Sequence, residues 1–293
     1  MNARPLGASG ISVSPVGLGA GRIGGPETTD ADVDRILGAA LDAGVTLVDT
    51  ARSYGLSEER LGRALVGRRD RFVLSTKVGY GVEGVADWTG PCIEAGVDGA
   101  LGRLRTDRID IVHLHSCGQD ALESAGVVEA LARTVRAGKV RVAAYSGEDE
   151  ALAFAVESGA FGAVQCSVSA VDQGPLDGAV AEAQRRGVGV LAKRPLGNAP
   201  WRFATRPGEP DVAAAWDRFR ALALDPGPLP WPALFARFAA HAPGVTAVLV
   251  GTTQADHLQA VARAVAEGPL DEPLARTVRA AWSRVARGWR GRV

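Results

Sequence analysis

The sequence predicts a (β/α)8 TIM barrel, with an N-terminal β-hairpin before the barrel and an extra helix after it. Two observations favour this fold. Short β-branched and aliphatic runs alternate with segments that have helical hydrophobic spacing, and many of the predicted helices end at a glycine. Eight such units in 293 residues suit a closed barrel, whose usual length is about 250 residues. We therefore expect residues 1–293 to form a single barrel domain.

The predicted elements follow one another in a regular order. Residues 3–13 form the hairpin, because apolar residues alternate around Gly7 and Gly10. The first helix begins near Thr29, where Asp32 completes a capping box. The strands are predicted over 15–18, 46–48, 72–76, 109–114, 140–145, 163–166, 188–193 and 245–250. The later helices are predicted over 57–66, 93–104, 127–137, 150–158, 177–186, 231–241, 255–267 and 273–287, with an irregular stretch over 198–230.

An open, doubly wound parallel sheet is the alternative fold. It requires a Gly-x-Gly-x-x-Gly turn after the first strand, and residues 19–24 match that string. An isolated match is weak in a chain with 37 glycines. No acidic residue closes a second strand about 20 residues later, as contact with a ribose requires. We therefore interpret residues 19–24 as a loop of the barrel.

Composition excludes several classes of function. The chain has 33 basic and 33 acidic residues, so it shows no charge bias toward nucleic acid or a membrane surface. It contains no apolar run of about 20 residues and no apolar N-terminal signal segment. Its three cysteines, Cys92, Cys117 and Cys166, are widely spaced. They indicate reduced thiols in a cytoplasmic protein rather than disulfides or a metal site.

Four polar residues follow three successive predicted strands. Asp49 ends one strand and Tyr54 lies in the loop after it, whereas Lys77 and His115 end the next two strands. Active sites of such barrels lie at the C-terminal ends of the strands. Burying a lysine beside a carboxylate costs less than burying either charge alone. A structural ion pair between Asp49 and Lys77 is the alternative interpretation.

The four groups together suit the reduction of a carbonyl group. A positive charge near a phenol lowers the pKa of the phenol, so Lys77 would make Tyr54 a usable general acid. Neutral His115 would hydrogen-bond the carbonyl oxygen. His113, lower in the barrel, is interpreted as a core histidine with Ser75 as its partner. No side chain supplies a hydride, so the reaction requires a nicotinamide cofactor.

The chain resembles the aldo-keto reductase family along nearly its whole length. The resemblance rests on residues 4–14, on 49–55 with Asp and Tyr five positions apart, on Thr76-Lys77 and on 109–115. It implies a barrel that binds NADP(H), with NAD(H) possible, without a Rossmann domain. It also implies a small carbonyl or alcohol substrate, such as an aldehyde, a ketone or a small sugar.

The resemblance also implies a set of cofactor-binding residues. These are Gly19, Ala20, Asp49, Ser146, Gln165, Lys193, Arg194, Pro195, Leu196, Gly251, Thr252, Thr253, Gln254 and His257. The chain departs from the family pattern at Gly147, where an amide is usual, and at Val261, where an asparagine typically faces adenine. The usual cation for a 2′-phosphate is also missing, and His257 lies near one such position. The expected preference for NADP(H) over NAD(H) therefore rests only on the cofactor that the family usually binds.

Three aromatic residues are candidates for the substrate pocket. Trp88, Trp201 and Phe203 lie in the loops after predicted strands three and seven, where barrels vary their specificity. They could equally cover the rim of the barrel. The departures at Gly147 and Val261 motivate a second functional hypothesis, a nicotinamide-nucleotide-binding sensor or auxiliary barrel with little catalysis. The intact set of reacting groups favours the enzyme.

Overall fold

Eight parallel strands close into a barrel in the computed structural model, which describes residues 1–123 and 125–291. The predicted (β/α)8 barrel is confirmed, and the open sheet is excluded because the last strand pairs with the first, with Val248 beside Val16. The strands are β1 (Arg4–Pro5) and β2 (Ser12–Val13) of the hairpin, then β3 (Val16–Gly19), β4 (Leu47–Asp49), β5 (Val73–Val78), β6 (Ile109–His115), β7 (Val140–Ser146), β8 (Ala163–Ser167), β9 (Gly189–Lys193) and β10 (Ala247–Gly251).

The hairpin of β1 and β2 is confirmed, and it covers the N-terminal end of the barrel. Ala8 N donates to Gly187 O at 2.7 Å, just before β9 begins. Gly7 has a φ of +54°, and a Cβ there would lie 2.2 Å from the same carbonyl oxygen. Leu6 is fully buried and joins an apolar layer inside the barrel with Ile111 and Leu191. The hairpin thus closes the end of the barrel opposite the strand C-termini.

The helices surround the barrel, and most begin where the sequence indicates. Thr29 caps the first helix, and Asp32 completes the capping box as predicted. The helices are α1 (Asp30–Asp42), α2 (Ser57–Ala64), α3 (Gly90–Leu104), α4 (Gln119–Glu123), α5 (Ala125–Arg136), α6 (Asp149–Glu157), α7 (Ala181–Arg185), α8 (Pro210–Leu222), α9 (Trp231–Ala240), α10 (Ala255–Ala266) and α11 (Glu272–Val285). No helix in the described residues has both the length and the apolar character that a membrane span needs.

The prediction of an irregular stretch over 198–230 is wrong, because α8 occupies its centre. Pro210 begins this helix, a position where its fixed φ is favourable and its missing N–H costs nothing. The helix predicted over 177–186 instead opens with a π-helical turn, Leu176–Val180, before α7. The short helix α4, which precedes α5, was not predicted.

A buried carboxylate anchors α2 to its neighbours. Glu58 accepts hydrogen bonds from Thr76 Oγ1 on β5 and, at 2.6 Å, from Arg103 Nε on α3. Both oxygens are therefore paired, as burial of a charge requires.

The three cysteines, Cys92, Cys117 and Cys166, are buried free thiols.

The backbone at Gly24 touches the loop that follows β4. A Cβ at Gly24 would lie 1.5 Å from Tyr54 O, and Gly24 O accepts from Leu56 N at 3.1 Å. This contact leaves no room for any side chain. Gly38, within α1, has open space around the position of a Cβ.

His113 on β6 lies inside the barrel. It is fully buried, and its Nε2 lies 3.1 Å from Ser75 Oγ. The predicted Ser75 contact is thus present. Burial lowers the pKa of His113 to about 4, and the charge of Asp49 offsets only part of this effect. The ring is therefore neutral at physiological pH.

We expect Gly24→Ala to lower the free energy of unfolding by about 1–3 kcal/mol, because the added methyl group forces the Tyr54 loop outward. Gly38→Ala is the matched control and should raise it by about 0.5–1 kcal/mol, as alanine is the better helix former. Urea denaturation followed by circular dichroism measures both. Equal stability of the two variants would contradict the tight contact.

His113 should make the fold sensitive to acid. An unfolded histidine binds a proton below about pH 6.5, whereas folded His113 stays neutral to about pH 4. Its contribution to stability is therefore complete above pH 6.5 and is lost as the pH falls toward 4. When the pH falls from 7 to 4, the free energy of unfolding of the parent protein should decrease by about 3 kcal/mol more than that of the His113→Asn variant. Parallel pH profiles of the two proteins in urea titrations would refute this.

Candidate active site

The loop after β4 is held in place by the backbone on both of its sides. Thr50 N donates to Ser75 O at 2.8 Å, and Ser57 Oγ donates to Ala20 O at 2.9 Å. The Gly24 contact described above holds the middle of the loop. Tyr54 is therefore carried by a short loop whose two ends are bonded to β5 and to the turn after β3.

A buried ion pair lies at the ends of β4 and β5. Lys77 Nζ donates to Asp49 Oδ2 at 2.6 Å and to Thr50 O at 2.8 Å. The other oxygen of Asp49 accepts from Ser75 Oγ at 2.8 Å and from Gln165 Nε2 at 3.1 Å. Both charged side chains are at least 95% buried. The predicted pair is present, and each carboxylate oxygen has a partner.

Electrostatics keep both members of the pair ionised. Burial alone would lower the pKa of Lys77. The electrostatic attraction of Asp49, and then of Tyr54, outweighs the effect of burial, so the pKa of the ammonium group is raised. Burial would likewise raise the pKa of Asp49, but Lys77 and other partners lower it. The site thus holds a permanent positive charge.

Tyr54 and His115 complete the cluster around that charge. Lys77 Nζ lies 5.0 Å from the centre of the Tyr54 ring. The rings of Tyr54 and His115 meet edge to face, with 6.1 Å between their centres and an angle of 88°. The structure therefore brings together the four residues that the sequence places after three separate strands.

His115 is neutral and contacts a residue that the sequence reasoning missed. Burial, and then the charge of Lys77, lower the pKa of His115 to about 3. Its Nδ1 lies 2.8 Å from Tyr80 Oη, and the two rings stack at 5.5 Å with an angle of 23°. The available signal was an aromatic residue three positions after Lys77, in the loop that leaves β5.

Trp88 reaches the cluster through Tyr80. Its ring lies 5.7 Å from the Tyr80 ring, and its backbone N donates to Gly79 O at 2.8 Å. A Cβ on Gly79, which has a φ of +138°, would lie 2.1 Å from the Trp88 ring. Glycine at this position therefore lets the indole fold back beside Tyr80, close to His115.

The other two aromatic candidates lie against helices. Trp201 stacks on Trp231 at 6.4 Å and meets Phe235 edge to face at 4.8 Å. Phe203 is 39% exposed, and its carbonyl accepts from Trp216 Nε1 on α8. The described contacts of Trp201 and Phe203 thus join the segment before α8 to α8 and α9.

Two of the expected cofactor residues lie beside Asp49. Ser146 Oγ donates to Gln165 Oε1 at 3.1 Å, and Gln165 in turn donates to Asp49. The departure at Gly147 has a steric cause, because a Cβ there would lie 2.1 Å from Tyr145 Oη. That hydroxyl donates to Cys117 O at 2.8 Å. The Tyr145 phenol therefore takes the space that an asparagine would need.

The two cations at the end of β9, Lys193 and Arg194, have acidic partners. Lys193 Nζ lies 3.2 Å from the buried Glu148, and Arg194 pairs with Asp211 of α8 at 2.9 Å. Pro195 and Leu196 follow them in the same loop.

The remaining residues expected to bind the cofactor lie after two other strands. Four of them lie at the end of β10 or between β10 and α10, and two lie at the end of β3 or at the start of the turn after it. These six are Gly251, Thr252, Thr253, Gln254, Gly19 and Ala20, and His257 lies exposed in the first turn of α10.

A cavity of about 590 Å³ lies between the turn after β3, α1 and the start of α10. Thr253 and Gln254 contribute to its wall, together with two cations from the first strand–helix unit, Arg22 and Arg35. Arg35 pairs with Asp32 at 2.7 Å on the same helix. The cavity thus borders two of the residues that the family resemblance assigns to cofactor binding, Thr253 and Gln254.

The donor set suits a nicotinamide nucleotide. Ser146 and Gln165 place a hydroxyl and an amide beside Asp49, and such groups complement a carboxamide. The first N–H groups of α10 follow Thr252 and Thr253, and free N–H groups at a helix start favour phosphate. The phenol of Tyr54 can donate a proton, and the ammonium of Lys77 beside it stabilises the negative charge left on the phenol.

The chain is similar in sequence to known proteins over most of its length. The profile of the Aldo/keto reductase family matches residues 15–283. The chain is 31% identical to the 6-dehydroglucose reductase of Novosphingobium aromaticivorans over 282 residues, 89% of this chain and 90% of that protein. It is 30% identical to the L-galactose dehydrogenase of Arabidopsis thaliana over 208 residues, 66% of this chain and 65% of that protein.

A solved structure shares the whole architecture. The holo form of an aldo-keto reductase from Bacillus halodurans superposes with a TM-score of 0.85 at 27% identity, and the match covers 96% of each chain. The family profile and the first of the two relatives each extend over most of the sequence. The chain belongs to the aldo/keto reductase family.

Proposed function

We propose that this protein is a nicotinamide-dependent oxidoreductase that interconverts a carbonyl group and an alcohol, with Tyr54 as the general acid and base. The observation that carries the proposal is the buried ammonium of Lys77, 2.6 Å from Asp49 and 5.0 Å from the centre of the Tyr54 ring. The positive charge of Lys77 stabilises the phenolate that Tyr54 becomes when it donates its proton.

In the reducing direction, Tyr54 Oη gives its proton to the carbonyl oxygen, and the phenolate that forms is stabilised by Lys77. Asp49 holds Lys77 in place through Oδ2, while Ser75 and Gln165 hold Asp49. In the oxidising direction the phenolate takes the proton back from the alcohol. Preorganised charge of this kind is usually the largest contribution to catalysis.

Neutral His115 positions the carbonyl oxygen beside Tyr54. A neutral imidazole can donate a hydrogen bond without competing as an acid, and the low pKa of about 3 keeps it neutral over the physiological range. Its ring meets that of Tyr54 edge to face. Because the two rings are in contact, both side chains can bond the same carbonyl oxygen.

A bound nicotinamide nucleotide supplies the hydride. Ser146 and Gln165 would hold its carboxamide, and the segment from Gly251 to Gln254 would hold its phosphates at the start of α10. We favour NADP(H) over NAD(H), because Arg22 and Arg35 line the cavity beside this segment and an arginine is a good partner for a 2′-phosphate.

A small polyhydroxylated carbonyl compound, such as a sugar, is the proposed substrate class. Two relatives named above carry sugar names, the 6-dehydroglucose reductase and the L-galactose dehydrogenase. Hydroxyl and aromatic groups border His115 on the side of Tyr80 and Trp88, and a sugar offers both hydroxyls and C–H faces to such a wall. Trp201 and Phe203 remain predicted pocket residues.

We expect Tyr54→Phe to lower kcat by about 10²–10⁴-fold, because the variant has no proton to donate. Its affinity for NADPH should stay within about threefold, since the phenol is not among the proposed cofactor contacts. Stopped-flow depletion of NADPH with a panel of aldehydes and aldoses measures the first value, and fluorescence titration the second. A wild-type protein that binds NADPH without depleting it would instead support a nucleotide-binding sensor.

Lys77→Met should abolish turnover and lower the free energy of unfolding by about 3–5 kcal/mol, because Asp49 would stay buried without its partner. Lys139→Met is the matched control, since Lys139 pairs with Asp98 on the surface, where both side chains are over 40% exposed. That variant should lose no more than about 1 kcal/mol. Urea denaturation and a turnover assay of both proteins give the comparison, and an active Lys77→Met would end the proposed mechanism.

A further inference from the structure

Tyr80 links His115 to the loop that carries Tyr54. Its Oη lies 2.8 Å from His115 Nδ1 and 3.1 Å from Ser53 Oγ, and Ser53 precedes Tyr54 in the chain. Either hydroxyl can donate in the contact between Tyr80 and Ser53. A phenol has a single hydrogen, so it donates to one neighbour and accepts from the other.

The acidity of the three groups decides between the two arrangements. A phenol is a far stronger acid than a serine hydroxyl or a neutral imidazole N–H, and an unprotonated imidazole nitrogen is the strongest base of the three. The favoured arrangement has Ser53 donating to Tyr80 and Tyr80 donating to His115 Nδ1. The hydrogen of the neutral imidazole must then lie on Nε2.

The aromatic contacts keep Tyr80 where this bond requires it. Tyr80 stacks on His115 with 5.5 Å between ring centres, and Trp88 covers it at 5.7 Å. Trp88 is in turn held against Gly79, where no side chain fits. The phenol is thus held between two rings and cannot swing away without breaking both contacts.

We propose that Tyr80, assisted by Ser53, is a positioning residue that holds His115 as its Nε2–H tautomer, so that the imidazole always presents a donor to the carbonyl oxygen. This inference rests on the proposed function and adds to it a residue outside the four that carry the chemistry. Without the Tyr80 hydroxyl, Nδ1 and Nε2 would share the hydrogen, and part of the protein would present a lone pair to the substrate oxygen.

Nitrogen-15 NMR of histidine-labelled protein tests the tautomer directly. The chain has four histidines, and His115→Asn assigns the signals of the one concerned. In the substrate-free wild-type protein we expect a protonated Nε2 and an unprotonated Nδ1 for His115. Tyr80→Phe keeps the ring stack, removes the hydroxyl and should convert this spectrum into that of a mixture of tautomers.

Kinetics provide a second measure. Tyr80→Phe should lower kcat/KM for the carbonyl substrate by about 3–10-fold, the effect of one neutral hydrogen bond, and leave the dissociation constant of NADPH unchanged. Tyr145→Phe is the matched control, because it removes a phenol that donates to Cys117 O in the loop after β6 and has no described contact with His115. It should leave the His115 signals unchanged.

A wild-type His115 with its hydrogen on Nδ1 would overturn the inference, as would a Tyr80→Phe spectrum identical to that of the wild type. The tautomer is read without substrate, so this result is independent of turnover. A protein that reduces no carbonyl compound would refute the proposed function, while the spectrum would still decide whether Tyr80 sets the tautomer of His115.

Discussion

The ion pair between Lys77 and Asp49 is the interaction on which the rest of the site depends. Two charges buried to this degree are tolerable because they bond each other and further partners in the barrel. Asp49 accepts from three side chains, including Gln165 from the far side of the barrel. The pair therefore joins β4, β5 and β8, and any group near it meets a positive charge that water screens little.

The loops around this pair are shaped by contacts between backbone and ring. Gly24 lets the Tyr54 loop press against the turn after β3, and Gly79 lets Trp88 fold over Tyr80. Each glycine admits a neighbour where a side chain would collide with it. The aromatic series Trp88, Tyr80, His115 and Tyr54 is held by these close approaches as much as by its own stacking.

The features predicted well from the sequence are those with local causes. The capping box at Thr29 depends on residues three apart, and the strands depend on short aliphatic runs, so both were predicted. Helix α8 was missed because prolines and aromatic residues in its neighbourhood indicate irregular structure. The helix is instead held by contacts with distant segments, such as those of Arg218 with Asp172 and with the carbonyl of Arg290. The π-helical turn before α7 likewise has no signal in hydrophobic spacing.

The sequence by itself determined the alternation of strands and helices, the placing of Asp49, Lys77 and His115 at strand ends, and the placing of Tyr54 in the loop after β4. These follow from the periodicity of side chains along the backbone, which is a property of short segments. Only the tertiary structure decided that Tyr80 meets His115 and that the Tyr145 hydroxyl excludes a side chain at position 147. Such contacts depend on the directions in which loops leave the barrel, and packing of the whole chain sets those directions.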